Sequence, residues 1–317
     1  MPRRERLTGP IPIGVEGIGD LNQLFSDAFT DRYHRDGMMG VRVPPLNPAI
    51  WRYALAVAGD GAMQWRDQSG ALAAFNLARV SGTEGWMGPL AVRSDLQRGG
   101  VGRLIVRAGI DYLRERSCRV IGLETMPRTV ENIGFYSGLG FRPGHLTISM
   151  QLAVPRGAGV PALRSGDLGD RDLWRPQGRR LLDRLAPGVD FTREIDETLT
   201  QGIGDLSVVA DSGEWLAFAL WHDVPLAQGR PVEEIRILKV AAVDPAAFCR
   251  VIDGVMVAAT ARGIHRLGVR CQTAQAAAYE ALLDLGFRAH WTDLRMSLRD
   301  LPEQRPAEGI VLSNWEI

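Results

Sequence analysis

Apolar positions along the chain alternate between two rhythms. Leu21, Leu24, Phe25 and Phe29 recur at helical spacing and predict a helix over about 20–33. A Gly-, Pro- and Met-rich loop covers 34–50, and a second helix is predicted at 51–57. Residues 11–15 read as an edge strand, because Pro12 cannot donate to a ladder. Strands are predicted at 62–66, 71–80 and 85–92. Leu104, Ile105, Ala108, Tyr112 and Leu113 then mark a helix over 101–116. A buried strand at 120–125, a helix at 130–138 and a strand at 146–152 follow.

A stretch with Pro and Gly at 155–159 reads as a linker, and the order then begins again. Strand 160–164, helix 172–185 and strands 206–210, 214–221 and 235–243 precede a helix at 246–262. Strand 267–271, helix 274–285 and strand 291–298 close the second pass. Gly122 and Phe141 recur as Gly268 and Phe287, each 146 residues on, with no gap between. That is an internal duplication. It divides the chain into a domain over 1–154, a second over 160–300 and a tail over 301–317, in which 309–313 can add a strand. At the same offset Gly100 falls on Ala246, Gly102 on Phe248 and Tyr136 on Leu282. The second copy keeps the pattern of the fold and loses these three residues.

Composition narrows the classes. At 317 residues the chain has room for two domains, and 45% hydrophobic with 23% charged residues suits a soluble globular protein. Formal net charge is zero, so no global field draws in nucleic acid or a membrane. The basic residues are arginine apart from Lys239, which points to a GC-rich bacterial coding bias. Cys118, Cys249 and Cys271 lie far apart and form no zinc pattern; small buried thiols in a reducing cytoplasm are expected. The basic start, residues 1–6, is followed by no apolar core of a signal peptide, and no apolar run approaches ~18 residues.

The stretch that carries chemistry lies between the strand ending at Val92 and the helix beginning near Val101. It holds Gly99, Gly100 and Gly102. Glycine permits a sharp turn and close approach of a ligand to backbone N–H groups. The first N–H groups of a helix lack internal partners and sit at its positive end, which suits phosphate. A P-loop requires Gly-Lys-Ser/Thr, and Arg103-Leu104 does not supply it. A dinucleotide fingerprint requires a third glycine where Ile105 stands. Gln97-x-x-Gly100-x-Gly102 remains. With Leu90-Ala91-Val92 before it and Phe135-Tyr136-Ser-Gly-Leu-Gly-Phe141 after it, it resembles the acyl-coenzyme A signature of the GCN5-related N-acetyltransferase (GNAT) family.

The resemblance implies an α/β (α+β) protein of two tandem acyl-CoA N-acyltransferase folds, the C-terminal one degenerate. Each would be a mixed, mostly antiparallel twisted sheet flanked by helices. It implies acetyl transfer from acetyl-CoA (coenzyme A) to a primary amine on a small molecule or peptide, in the cytoplasm, with no metal. No nucleic-acid or membrane partner is implied; a homodimer is compatible. A non-catalytic acyl-CoA sensor or scaffold is the alternative, and would bind acetyl-CoA without turnover.

By the same resemblance the main chain of Leu90, Ala91 and Val92 pairs with the pantetheine amides like an added strand. Gln97 and the backbone of Arg98, Gly99, Gly100, Val101, Gly102 and Arg103 hold the pyrophosphate. Tyr136 stands where the family places the acid that protonates the sulfur, with Phe135 beside it counted among the cofactor residues. Thr129 replaces a common asparagine; it can still hydrogen bond, and Asn132 one turn on can substitute. Glu124 is the candidate base, with Glu84, Glu131, His34 and His145 as alternatives. Tyr33, Met38, Met39 and Trp51 are candidates for an acceptor pocket.

Overall fold

The computed structural model describes residues 7–154, 173–306 and 308–314. The expected linker at 155–159, the strand at 160–164 and residue 172 lie outside the described residues. In chain order the elements are β1 (Thr8–Pro12), α1 (Ile18–Arg35), α2 (Pro48–Ala58), β2 (Ala62–Arg66), β3 (Leu72–Ser81) and β4 (Glu84–Val92). Then come α3 (Val101–Glu115), β5 (Val120–Thr125), α4 (Val130–Ser137) and β6 (Phe141–Ala153). The second pass has α5 (Arg179–Leu185), α6 (Thr192–Gln201), β7 (Gly204–Asp211), β8 (Glu214–His222), β9 (Ile235–Ala242) and α7 (Pro245–Ala261). It ends with β10 (Arg266–Gln272), α8 (Ala276–Asp284), β11 (Arg288–Leu298) and β12 (Ile310–Ser313).

Local chemistry accounts for most boundaries. Asn47 caps α2 by accepting from the Ala49 N–H, with Pro48 at the first helical position. Asp244 and Pro245 do the same for α7. β6 starts earlier than the expected 146, because Arg142, Pro143 and Gly144 read as loop. Pro143 is accommodated at a register irregularity, where proline costs no ladder bond. Helix α6 was not expected from its periodicity. Of its buried residues only Ile195 is apolar, and Glu194 and Thr198 take inward positions that read as polar.

Strand β3 is buried on both faces, so successive residues feed two cores. Phe75 and Leu77 pack with Leu21, Trp51 and Ala54 of α1 and α2. Ala74 and Ala78 pack with Ile105 and Val106 of α3. The second half repeats the scheme, with Phe248, Val251 and Val255 of α7 on one face and Leu181, Leu182 and Ile195 of α5 and α6 on the other.

Among the described residues one sheet of 12 strands runs through both halves in the order β1-β2-β3-β4-β5-β11-β6-β10-β9-β8-β7, with β12 on β9. The two halves exchange their last strands. β11, from the second half, fills the place beside β5, and β6, from the first, lies beside β10. β6 and β11 pair antiparallel, and Thr147 faces Asp293 in that ladder. These two residues are repeat equivalents, so the local pseudo-twofold passes between them.

The halves differ at their forks. β4 and β5 run parallel through Met87 opposite Leu123, and then part at Gly88 and Pro89. β9 and β10 run parallel through Ile237 opposite Val269, and then part likewise. In the second half β12 fills the fork, with Leu312, Val311 and Ile310 opposite Val240, Ala241 and Ala242. Counted from the last paired residue, those three are the counterparts of Leu90, Ala91 and Val92. Among the described residues no strand pairs with the corresponding edge of the first half beyond Met87.

Candidate active site

The open fork leads into a cavity of about 790 Å³. Its far end is the glycine turn. Gly100 sits at the N-cap of α3 with φ of 84°, a conformation that suits glycine, and no side chain caps the helix. The N–H groups of Val101, Gly102 and Arg103 at this end have no acceptor within the helix. The ring of Phe135 closes on α3 so tightly that a Cβ on Gly102 would lie 3.3 Å from its Cζ. Leu90, Ala91, Val92, Gln97, Arg98, Gly100, Gly102 and Arg103 all line the cavity. Gly99 and Val101 do not, and the Val101 side chain is buried in the core. Gln97 donates to the Val92 carbonyl at 3.0 Å and accepts from Arg35 at 2.6 Å, so α1 reaches the mouth of the turn.

Asn132, Phe135 and Tyr136 of α4 form the next wall. Thr129 is not part of it. Its hydroxyl donates to Asp36 Oδ2 at 2.5 Å, and the residue is buried. Asn132 reaches toward the cavity and donates to Thr125 Oγ1 at 3.3 Å. Tyr136 lies between Phe135 and Phe141, at ring distances of 5.1 and 6.1 Å. Burial pushes its hydroxyl up to about 12, so the phenol is protonated at neutral pH.

Glu124 lies in the cavity floor where β5 leaves β4. Thr147 Oγ1 and Arg295 Nε donate to its Oε1 at 2.8 and 2.9 Å, and Arg270 donates to Oε2 at 2.5 Å. Burial alone would raise this carboxyl. The Arg270 and Arg295 charges and the hydrogen bonds outweigh it and hold Glu124 below the ordinary range. Such a group is suited to hold arginines in place and poorly suited to take a proton from an ammonium. Of the other carboxylates, Glu131 lines the rim and pairs with Arg32 at 3.0 Å, while Glu84 accepts from Trp86 Nε1 at 3.1 Å away from the cavity. His34 binds the Val41 carbonyl at 2.9 Å, and neither His34 nor His145 lines the cavity.

The early loop contributes less than its composition suggested. Tyr33 lines the cavity. Trp51 is core, with its Nε1 donating to Asn22 Oδ1 at 2.9 Å, and Met38 and Met39 lie outside the cavity. The second half contributes what sequence reasoning missed: Trp291 and Asp293 of β11, with Leu226 and Ala227. The loop carrying Leu226 is tied to the first half by Asn47 N–H to the Leu226 carbonyl at 2.8 Å and Gln228 N–H to the Pro45 carbonyl at 2.9 Å. A signal existed. Trp291, Asp293 and Arg295 alternate with apolar Leu294 and Met296, which puts a polar face on a buried strand.

At the 146-residue offset Gly100 and Gly102 fall on Ala246, which is exposed, and Phe248, which is buried in the core, and the N-terminus of α7 is capped by the Asp244 side chain. Among the described residues no cluster of His, Cys, Asp or Glu could hold a metal ion, and no helix is long and apolar enough to cross a membrane.

Residues 23–141 match the model of the Acetyltransferase (GNAT) family. A 74-residue stretch is 35% identical to the [ribosomal protein bS18]-alanine N-acetyltransferase of Escherichia coli (strain K12), 23% of this chain and 50% of that protein. The chain thus spans half the length of the curated relatives it matches. Among solved structures, a putative acetyltransferase from Pyrococcus horikoshii superposes with a TM-score of 0.67 at 15% identity, covering 96% of this chain and 95% of that one. A tandem GNAT protein from the clavulanic acid biosynthesis pathway superposes with a TM-score of 0.63 at 14% identity, covering 94% and 100%. The family match supports an acetyltransferase of the GNAT family, and the solved structures carry the same mixed α/β fold across nearly the whole chain.

Proposed function

We propose that the chain is an N-acetyltransferase that moves an acetyl group from acetyl-CoA to a primary amine, with its active site in the first half. The observation that carries this reading is the open fork between β4 and β5. It is joined at one end to the left-handed glycine turn at Gly100 and walled by the protonated phenol of Tyr136. The residues fit the carrier. The edge of Leu90–Val92 that no strand covers has backbone groups for an amide-bearing arm, with the Val92 carbonyl also accepting from Gln97, as β12 uses the matching edge in the second half. Gln97, Arg98, Arg103 and the first-turn N–H groups of α3 offer donors for a pyrophosphate.

Catalysis then needs few groups. The fork orients thioester and amine together, which removes much of the entropic barrier. A backbone N–H near the fork polarises the carbonyl. The amine attacks as its free base, its ammonium proton lost to solvent. As the N–C bond forms and the C–S bond breaks, Tyr136 protonates the departing sulfur and regains a proton from the nitrogen of the new amide. Glu124 acts by holding Arg270 and Arg295. In this reading 1–154 is the acyl-carrier half. The second half, without a glycine turn and with its fork filled by β12, completes the walls. The E. coli relative, named for acetylating an alanine of a ribosomal protein, makes peptide amines one acceptor class alongside small molecules. We place the enzyme in the cytoplasm, in keeping with its free cysteines.

The test is calorimetric titration with acetyl-CoA, followed by thiol release over an amine panel. Uptake with turnover supports the enzyme. Uptake with no turnover across the panel supports a sensor, and absence of uptake overturns both.

A further inference from the structure

Beneath the cavity lies a buried ion cluster built from both halves, of which Glu124 and Asp293 line the cavity. Glu124, Asp293 and Glu303 supply three carboxylates, and Arg270 and Arg295 supply two guanidiniums. Glu303 is held by Arg295 and lies away from the cavity lining. Arg270 is shared. It stands 2.5 Å from Glu124 and 3.0 Å from Asp293. Asp293 therefore has half of one cation, and burial outweighs that share and raises its carboxyl. Thr147 of β6 faces it across the ladder. Among these five groups carboxylates outnumber guanidiniums by one, and Asp293 is the one that faces the cavity with only a shared cation.

The walls above Asp293 are aromatic. Tyr33 meets Trp291 edge to face at 6.1 Å, and the Phe25 and Phe29 rings lie 4.5 Å apart, tilted by 34°. All four line the same cavity as Asp293. Such a site recognises a flat apolar body by area and a single cation by charge.

We propose that the acceptor is a primary arylalkyl amine, whose ammonium is held by Asp293 of the exchanged strand β11 while its ring lies against Trp291, Tyr33 and Phe29. This rests on the acetyltransferase reading and names the substrate class of the same site. Asp293 is a positioning and selecting residue from the half that lacks the acyl-carrier turn. The second half is thus part of the acceptor site rather than a support for it.

The experiment is calorimetry on the full chain with coenzyme A present. Three probes are used: 2-phenylethylammonium, the uncharged 2-phenylethanol and the ringless ethylammonium. The wild type should bind the first at least about tenfold more tightly than either of the others. Asp293→Asn should lose about tenfold or more for 2-phenylethylammonium and leave 2-phenylethanol unchanged, and Asp293→Glu should recover the preference. Equal wild-type affinity for the amine and the alcohol overturns the proposal, as does an Asn variant that binds the amine normally. If Asp293→Asn does not fold, the wild-type comparison alone decides. Selective amine binding without acetyl transfer would retain this site and reject the transferase reading. Transfer to these amines that ignores Asp293 would do the reverse.

Discussion

Glu124 accepts a 2.5 Å hydrogen bond from Arg270, and the two residues stand 146 apart at the same position of the two repeats. They meet because β6 and β11 change places around the pseudo-twofold between Thr147 and Asp293. Across a true twofold the same position would face itself, and two equal charges would repel. A fused, diverged chain can place opposite charges there. The pair fixes the cavity floor, and Arg295 extends it over the Trp86 ring at 4.1 Å and toward the Ser313 carbonyl of the tail at 3.2 Å.

Glu124→Gln leaves two buried guanidiniums short of charge, and truncating one partner of such a cluster costs about 3–5 kcal/mol. A lower urea midpoint is expected. The folded value of Glu124 lies below its ordinary value of about 4.3. Its stabilisation is therefore complete above that value and is lost as pH falls through the depressed one. The variant should show a shallower acid limb between about pH 5 and 3. A midpoint that stays where it was would show the pair to be neutral.

Tyr136→Phe keeps the packing against Phe135 and Phe141 and removes only the proton donor. Turnover should fall about 10²–10⁴-fold, with acetyl-CoA binding within about twofold of wild type. Stopped-flow thiol release is the measurement, and undiminished release would take Tyr136 out of the reaction.

Gly100→Ala forces a Cβ into a backbone with φ of 84°. The strain of about 1–2 kcal/mol falls on the turn itself. A weaker grip on acetyl-CoA, by about tenfold, is expected with the global melting curve little changed. Retained affinity would mean that the turn does not bind the carrier.

Ending the chain before Gly309 removes β12, whose Ile310 and Leu312 are buried against β9. At about 1.5–3 kcal/mol for each side chain, several kcal/mol of stability should be lost. The vacated fork should bind a hydrophobic dye. A truncated protein as stable as the full chain would show that the plug contributes nothing.

Residues 7–154 alone lose β11, and β6 is left without either neighbour. The expected product is a homodimer in which each copy lends its β6 to the other. Such a dimer sets Glu124 against its own copy, so Glu124→Gln should tighten it. Sedimentation that finds a stable, active monomer would refute the exchange.

Much of the fold was legible in the chain. Helical spacing at Leu104, Ile105 and Ala108, alternating apolar strands and the 146-residue offset are local or self-referential signals, and they place the elements and the duplication. The glycine turn is equally local, since a positive φ favours glycine wherever the strand happens to pair. Most of the expected carrier residues accordingly fall along one cavity.

What the chain did not disclose is which strand pairs with which. β6 and β11 carry the same apolar alternation, so β5 can accept either, and only the sum of long-range packing selects β11. From that choice follow the partners of Glu124, the exclusion of Thr129 by Asp36, and the arrival of Trp291 and Asp293 in the acceptor wall. Periodicity is set by neighbours a few residues away and is written in sequence. A buried charge such as Glu124 takes its meaning from groups more than a hundred residues distant, and the tertiary structure alone brings them within 3 Å.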